Sequence, residues 1–503
     1  MLSEKTLEIL AIVRTIIDTY KNRPILVYFD PDVDGLFSGK LVCDYLDMLG
    51  LRYQCYVNPD RAHGFKQNMA ILRGYLVIAV DFAITSAEMT QLLANDIAIV
   101  SIDHHDTEIE LIHQVTETCE GVVVNNQYPF EPDEDRYLSG AGVVYETICR
   151  LDQSFKSIER EALVGITLLS DARVIENAKA RAYLEETYKS NPNTGYIRYL
   201  LSHTVDKDYG FGQPRMDRNF IDYSFSPRIN SMLRFGYHNE AMNFIMGYGL
   251  EVENPRPKQK QVIDEMKKYM RVLDLQGCKV LVVRTEDLTH LDDLVQETVK
   301  LSCFIGLLCS DVKGNGKSVF AFILDNGSVS RASFRGQFDD VNYNSGFHTI
   351  GINAQGHNGA FGVVNFTFTA DTWVQMDNIV SNLNIGHKST VKVIKANNLS
   401  FVLNGKGKNV LNNVSSGMFS NQSNRGYDIA LENCFVRDLN RTYIKYEGNL
   451  IIPTVKSAKF CEYLIDGRLV KCFDPNLSPK DGLILPLLEK GYVQLYLKEA
   501  IVD

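Results

Sequence analysis

Residues 25–35, Ile-Leu-Val-Tyr-Phe-Asp-Pro-Asp-Val-Asp-Gly, join a short apolar run to a row of alternating carboxylates. Two later runs have the same form: Leu76–Val80 leads into Asp81, and residues 97–102 lead into Asp-His-His at 103–105. Short β-branched runs that stop at polar residues are typical of buried strands in a parallel sheet. Ligands collect at the carboxyl ends of such strands, so we predict that these carboxylates and imidazoles gather at one sheet edge.

Size and composition limit the classes of protein that this chain can form. It has 503 residues, more than the ~100–200 of a typical domain, and 45% of them are apolar, as in soluble proteins. We find no apolar run near the ~18 residues of a membrane span and no signal pattern at the N-terminus. The ten cysteines are scattered without a CxxC pair. We therefore expect a reduced, cytoplasmic protein with no membrane partner.

The charge balance is acidic, with a formal net charge of −10. This total argues against broad, non-specific binding of nucleic acid, although it leaves room for a local basic groove. A carboxylate-rich metal site would account for part of the excess, and bound cations would offset it.

The order of strand and helix patterns predicts an α/β protein with several domains. Residues 1–205 alternate strands and helices, which indicates a parallel sheet. Residues 206–275 form a connector that ends in a Lys-rich helix reaching about Leu275, and residues 276–371 form a smaller α/β domain. Residues 372–503 have short, antiparallel strand patterns and form a β-rich domain, either an ordinary β core or an OB-like fold.

The polar clusters at the strand ends have the chemistry of a metal site. Alternate carboxylates at Asp32 and Asp34 can bind two cations, although an Asx-rich turn at a helix start is the other interpretation. Asp81 alone is more typical of a cap. The imidazole of His104 suits Mn²⁺ or Zn²⁺, and Asp103 can fix a histidine tautomer. This mixture of oxygen and nitrogen ligands favours divalent cations such as Mn²⁺.

Together, these segments resemble the DHH phosphoesterase superfamily, and specifically its RecJ-type single-strand exonucleases. Further blocks of the chain are similar to that family in the same order, over roughly residues 22–366: residues 57–65, 124–125, 138–143, 225–236, 332–336 and 355–362. Pro227-Arg-Ile-Asn230 lies within one block, and Gln355-Gly-His357 opens the block that resembles the DHHA1 domain. The resemblance thus implies a DHH domain in residues 1–205 and a DHHA1 domain in residues 276–371.

The resemblance also implies a role for each matching residue. The metal ligands would be Asp30, Asp32, Asp34, Asp81, His104 and Asp171; the catalytic residues would be His105, Asp103, Arg228 and His357; and substrate would be bound by Arg61, Asn230, Ser333, Arg335 and Gly356. In this scheme Arg61, Ser333 and Arg335 hold a terminal 5′ phosphate. Two divalent cations are implied, with Mn²⁺ favoured and Mg²⁺ as the alternative.

The chain departs from the family pattern at three positions. Tyr28 stands where many relatives have a histidine, Leu233 stands in place of a glycine, and Gln355 replaces the first glycine of a Gly-Gly-His loop. Tyrosine is a poor Mn²⁺ ligand, so we expect one metal to be held more weakly. All the acidic metal positions are present, which favours an active enzyme.

The leading functional hypothesis is a metal-dependent 5′→3′ exonuclease on single-stranded DNA. Its partners would be single-stranded nucleic acid, with DNA favoured, and single-strand-binding or replication proteins. The first alternative is a phosphodiesterase on short oligoribonucleotides or cyclic dinucleotides. The second is an inactive DHH scaffold in a replication assembly.

Overall fold

The fold is described from a computed structural model. It describes residues 2–59, 65, 69–82, 84–105, 113–171, 178–190, 193, 195–204, 216, 220–250, 252–291, 295, 300–313, 317–326, 328–338, 341–352, 354–357, 359–363 and 369–386, and beyond these the strands β13–β20 whose bounds are given below.

The helices and strands are numbered here in chain order. The helices are α1 (Glu4–Tyr20), α2 (Val33–Met48), α3 (Ser86–Ala94), α4 (Gly140–Leu151), α5 (Ile158–Ser170), α6 (Ala178–Lys189), α7 (Gly195–Thr204), α8 (Ser226–Arg234), α9 (His238–Met246), α10 (Arg256–Tyr269), α11 (Ile305–Lys313), α12 (Tyr343–His348) and α13 (Ala370–Gly386). The strands are β1 (Ile25–Phe29), β2 (Tyr53–Val57), β3 (Leu76–Val80), β4 (Ala98–Asp103), β5 (His113–Val115), β6 (Glu120–Asn125), β7 (Arg271–Asp274), β8 (Cys278–Arg284), β9 (Ser318–Asp325), β10 (Ser328–Arg335), β11 (Ala354–His357), β12 (Ala360–Val363), β13 (Val393–Ala396), β14 (Asp428–Leu431), β15 (Ile444–Tyr446), β16 (Asn449–Lys456), β17 (Cys461–Ile465), β18 (Arg468–Cys472), β19 (Ile484–Leu487) and β20 (Val493–Tyr496).

The first sheet confirms the predicted parallel sheet. Its strand order is β2-β1-β3-β4-β6-β5. All neighbouring pairs are parallel except β5 with β6, which are antiparallel. Strands β1, β3 and β4 are buried along their whole length, which explains their nearly continuous apolar runs. The chain leaves β1 toward β2 on one side and returns to β3 on the other, so the carboxyl ends of β1 and β3 flank a topological switch point.

The register of this sheet aligns the polar strand ends. Phe29 lies opposite Val80, and Val80 lies opposite Ile102. The residues that follow, Asp30 and Asp81, therefore fall in line with Asp103 at the end of β4. Asp103 in turn lies opposite Asn125 at the end of β6. Four neighbouring strands thus deliver one polar residue each to the same edge.

The second sheet is mixed and has the order β11-β12-β10-β9-β8-β7. Only β8 and β9 run parallel among its described pairs. One hydrophobic cluster contains Val262 of α10 and Leu308 of α11, and a second contains Phe347 of α12 and Val380 of α13. This arrangement confirms the smaller α/β part of the predicted fold.

The predicted end of one helix in this region is wrong. The Lys-rich helix, expected to reach about Leu275, ends at Tyr269, and Arg271–Asp274 form the edge strand β7. Met270 already has an extended backbone, and Val272 pairs with Leu281 of β8. Pairing with the sheet edge thus prevails over the local helical pattern.

Residues 370–386, at the predicted start of the β-rich region, form helix α13 instead, and the described elements beyond residue 392 are strands. Strands β15 to β20 form an antiparallel sheet in chain order, and β13 pairs with β14 in parallel. The chain divides into two units, residues 1–167 with 225–388 and residues 168–224 with 389–503. The bounds of the four predicted domains and the OB-like alternative stay predictions. Within the described residues, no helix is both long and apolar enough to cross a bilayer.

Candidate metal centre

The acidic turn after β1 builds the start of helix α2. Asp32 has an extended backbone and caps the helix, because its Oδ1 accepts a hydrogen bond from the Gly35 amide at 2.9 Å. A Cβ on Gly35 would lie 2.4 Å from the carbonyl oxygen of Asp30, so glycine permits this close turn. Asp32 therefore caps α2, and the turn brings Asp30, Asp32 and Asp34 together, which leaves both interpretations of these carboxylates open.

Asp34 is held by the N-terminus of another helix. Its carboxylate accepts hydrogen bonds from the amides of Gly140, at 2.6 Å, and Ala141, at 2.9 Å. These amides open α4, which is capped by Ser139. A helix N-terminus attracts negative charge, so α4 fixes a buried carboxylate at the end of the sheet.

Asp81 adopts a backbone conformation that suits its place directly after β3. Its φ is 58°, in the left-handed region that aspartate and asparagine tolerate better than most residues. The side chain is buried and lies against α4, since a Cβ on Gly140 would come within 2.5 Å of its Oδ1. Glycine at position 140 is thus required for Asp81 and the α4 amides to share this space.

We expect Gly140→Ala to disturb the centre. The added methyl group must push Asp81 or the start of α4 aside, at a cost of about 1–3 kcal/mol for overpacking. The variant should therefore unfold at lower denaturant concentration and bind Mn²⁺ more weakly, which chemical denaturation and calorimetric titration can measure. Ser86→Ala, at the first position of α3, is the matched control and should leave Mn²⁺ binding unchanged. Wild-type Mn²⁺ affinity in Gly140→Ala would contradict this account.

The two histidines that follow β4 have different partners. His104 is buried, and its Nε2 lies 3.0 Å from Asp81 Oδ1 and 3.9 Å from Asp34 Oδ2. His105 is more exposed, and its Nδ1 lies 2.8 Å from Asp103 Oδ1. Burial alone would raise the pKa of Asp103, but the imidazoles of His105 and His104 hold that pKa well below its usual range. His104 thus faces the carboxylates of the centre, whereas Asp103 orients His105.

The donor atoms fit divalent cations. Among the described residues of the first unit, two groups of ligand atoms each lie within 4.8 Å of one another: those of Asp81, Asp103, His104 and His105, and those of Asp30, Asp32 and Asp81. Carboxylate oxygens with imidazole nitrogens suit Mn²⁺ and Mg²⁺ better than a thiol-based zinc site does. Asp81 belongs to both groups, so its carboxylate would be available to a cation held by either group.

Tyr28 lies outside this ligand set. Its ring is fully buried and packs against Tyr56, Phe65 and Phe82, with centroid distances of 5.4, 4.9 and 5.3 Å. The aromatic residue at the end of β1 thus belongs to the core beneath the strand ends. Whether one metal is held more weakly as a result stays a prediction.

Three further residues predicted to act at this centre have fewer described contacts. Arg228 and Asn230 lie on α8, and Arg228 Nη2 donates to the carbonyl of Val252 at 3.4 Å. The ring centroid of Phe225, directly before α8, lies 5.9 Å from that of Phe37 on α2. Asp171 directly follows α5 and belongs to the second unit, so its role as a ligand stays a prediction.

The predicted phosphate-binding residues meet on the second sheet. Arg335 donates from Nη1 to Ser333 Oγ, at 3.1 Å, and from Nε to Ser310 Oγ, at 3.2 Å. Its guanidinium also lies at the start of α11, since a Cβ on Gly306 would be 3.0 Å from Nη2. A guanidinium, hydroxyls and a helix N-terminus are all groups that bind phosphate.

Two more residues predicted at this site, Gly356 and His357, lie on β11, and His357 is in register with Arg335 across β12. Ala360 of β12 lies opposite Arg335 of β10 on one side and opposite His357 of β11 on the other. Gly356 is the neighbour of His357 on β11 and lies opposite Phe361. Arg61, predicted to complete the phosphate grip, lies outside the described residues.

The structure adds residues that we did not assign a role from the sequence. Asn125 donates from Nδ2 to the carbonyl of His105 at 2.9 Å, and its Oδ1 accepts from the Gln127 amide. The strand-end rule, applied to β6 as it was to β1, β3 and β4, would have found Asn125. The amides of Gly140 and Ala141 carry no side-chain signal that sequence analysis could use.

Comparison with known proteins agrees with this geometry. Residues 24–169 match the model of the DHH family, N-terminal domain. The predicted superfamily is confirmed: the chain carries a DHH domain. All the strand ends of the centre, from β1 to β6, lie within that match. A search of curated proteins finds no significant match to the sequence.

Solved structures similar to this chain share its fold. RecJ from Thermus thermophilus in complex with Mn²⁺ is 16% identical, with a TM-score of 0.63 over 98% of this chain and 71% of that chain. The Mg²⁺ complex from the same organism is 14% identical, with a TM-score of 0.58 over 98% of this chain and 70% of that one. An exonuclease RecJ bound to manganese is 17% identical, with a TM-score of 0.51 over 77% of this chain and 96% of that one.

Proposed function

We propose that this DHH protein is a metal-dependent exonuclease that releases nucleotides from the 5′ end of single-stranded DNA. The observation that carries the proposal is the buried cluster of carboxylates and imidazoles at the ends of β1, β3 and β4. Two bound divalent cations would neutralise the phosphodiester and lower the pKa of an attacking water. Asp30, Asp32, Asp34, Asp81 and His104 would hold these cations, with Mn²⁺ favoured over Mg²⁺ by the imidazole. Asp171 is the further ligand that we propose.

In this proposal, His105 faces the scissile phosphate. Asp103 accepts from Nδ1, which leaves Nε2 as the atom that exchanges a proton with, or donates a hydrogen bond to, the substrate. Asn125 fixes the backbone of His105 through its carbonyl. The imidazole is therefore held at both its ring and its main chain, which is the pre-organisation that proton transfer requires. Arg228 and Asn230 would bind the same phosphate from α8.

In this proposal, residues of the second sheet bind the 5′ end of the DNA. Arg335, Ser333 and the start of α11 would bind the terminal 5′ phosphate, together with Arg61, Gly356 and His357. Because a phosphate held at a fixed place sets which bond reaches the metals, this grip would impose the 5′→3′ direction. Single-strand-binding or replication proteins are the protein partners that we propose for this activity.

The test uses purified full-length protein with single-stranded DNA carrying a label at either end. With Mn²⁺ we expect mononucleotides from the 5′ end first, with EDTA stopping the reaction. RNA of the same sequence and a dinucleotide serve as competing substrates. Faster turnover of the dinucleotide than of long strands would favour the small-substrate phosphodiesterase, and no release from any substrate would favour the inactive scaffold.

Arg335→Gln tests the phosphate grip separately. A planar guanidinium binds phosphate through paired hydrogen bonds that glutamine cannot replace. We expect KM for 5′-phosphorylated DNA to rise about tenfold or more, while the rate on 5′-hydroxyl DNA changes little. Arg331→Gln, on the same strand, is the matched control. An equal loss on both kinds of end would show that Arg335 does not read the phosphate.

A further inference from the structure

Two cysteines of the DHH domain lie in contact. Cys43 is buried on α2, and Cys55 is half-buried on β2, the edge strand of the first sheet. Their Sγ atoms are 3.5 Å apart. A disulfide requires an S–S distance of about 2.05 Å, so closure needs a movement of roughly 1.5 Å, which side-chain rotation can supply.

We propose that Cys43 and Cys55 form a redox-active pair, in which a peroxide converts the two thiols into a disulfide that joins α2 to β2. This inference goes beyond the proposed nuclease activity and does not depend on it. It is compatible with the reduced state expected from the scattered cysteines, because both thiols are free before the oxidant acts.

The two thiols have different roles because their surroundings differ. The hydrogen bond with Cys43 lowers the pKa of Cys55, whereas burial raises the pKa of Cys43. Cys55 is also the more exposed of the two. Since the thiolate is the reactive form, Cys55 meets the oxidant and Cys43 resolves the product.

The reaction balances with hydrogen peroxide as the oxidant. The Cys55 thiolate attacks one peroxide oxygen, the O–O bond breaks, and sulfenic acid and hydroxide form. The hydroxide takes the proton of Cys43, whose sulfur then attacks Cys55. The S–O bond breaks, and the departing hydroxide leaves as water after protonation by the proton that Cys55 first lost to solvent. Two thiols are oxidised, and one peroxide is reduced to two waters. The disulfide thus captures Cys55 before irreversible oxidation to sulfinic acid.

The sequence permits a direct test by peptide mapping. Trypsin cleaves after Lys40, Arg52 and Arg61, so the two cysteines fall on adjacent peptides, residues 41–52 and 53–61. The full-length protein is treated with hydrogen peroxide, its remaining thiols are blocked, and it is digested without reductant. We expect the two peptides to be joined by a bond that dithiothreitol breaks. Both peptides recovered with blocked thiols, or joined to other cysteines, would overturn the proposal.

Variants test the division of roles. In Cys43→Ser, Cys55 should advance to sulfinic acid under the same peroxide treatment, because no thiol captures its sulfenic acid. In Cys55→Ser, Cys43 should stay a thiol. Cys303→Ser, which changes another half-buried cysteine, is the matched control and should retain the joined peptides. A Cys55 that resists peroxide in Cys43→Ser would contradict the proposed roles, and the wild-type map stands even if a variant folds poorly.

Discussion

Asp81→Asn should weaken Mn²⁺ binding by about 100-fold or more and abolish metal-dependent hydrolysis. Loss of an outer partner of a metal ligand already costs about 10–100-fold in affinity, so loss of a ligand should cost at least as much. Asp81 belongs to both groups of donor atoms and lies 3.0 Å from His104, so one substitution affects the whole centre. Calorimetric titration with Mn²⁺ and end-labelled DNA hydrolysis measure the two effects.

Asparagine is the appropriate replacement because it removes the negative charge of the side chain without straining the backbone. The φ of 58° at Asp81 would be strained in alanine, whereas asparagine tolerates it and keeps the side-chain shape. Asp96 has nearly the same φ, 56°, and pairs with Arg23 at 3.1 Å. Asp96→Asn is therefore a matched control and should keep wild-type Mn²⁺ affinity. Equal Mn²⁺ affinity in Asp81→Asn and wild-type protein would exclude Asp81 as a ligand.

The position of the centre could be predicted from the sequence because it follows from sheet topology. Parallel strands place their carboxyl ends at one edge, so three runs that end in Asp30, Asp81 and Asp103 needed no further information to be brought together. A strand pattern is a local property, which is why it can be recognised without the fold.

The contacts that complete the centre depend on distant parts of the chain. Asp34 is held by amides 106 and 107 residues away, and no side chain marks an amide in a sequence. Tyr28 resembled a missing ligand, but only the surrounding rings show that it belongs to the core. The Lys-rich helix ended early because a sheet edge was available to Val272. In each case tertiary contact prevailed over a local pattern.

The contacts of Arg150 also could not be predicted from the sequence. Among the substitutions considered, we expect its replacement to have the largest effect on stability. From the sequence it is an unremarkable arginine in the last turn of α4. In the structure its guanidinium contacts Asp135, Glu131 at 3.5 Å and Glu146 at 3.7 Å. The side-chain Nδ2 of Asn126 also donates hydrogen bonds to the carbonyl oxygens of Asp135, at 2.7 Å, and Leu138, at 3.3 Å. This network fixes the segment between β6 and α4, the segment that delivers Asn125 and the α4 amides to the centre.

Arg150→Met should lower the free energy of unfolding by about 3–5 kcal/mol at pH 7.5, because it leaves buried carboxylates without their cation. Glu131 and Asp135 have side chains only 5% and 4% exposed, so water cannot compensate. Urea denaturation measures the loss. Arg136→Met is the control: Arg136 pairs with Asp133, whose side chain is 93% exposed, so the change should stay within about 1 kcal/mol.

The pH dependence distinguishes lost charge from lost packing. Burial raises the pKa of Glu131, and a hydrogen bond from Thr6 and the charge of Arg150 are among the influences that lower it. Without Arg150 the folded-state pKa rises further above the unfolded value, so the folded state binds the proton more tightly. Stability then increases as the pH falls through that folded pKa toward the unfolded value. The deficit of Arg150→Met should therefore shrink between pH 7.5 and pH 5, whereas a packing defect would give the same deficit at both values because methionine adds no titratable group.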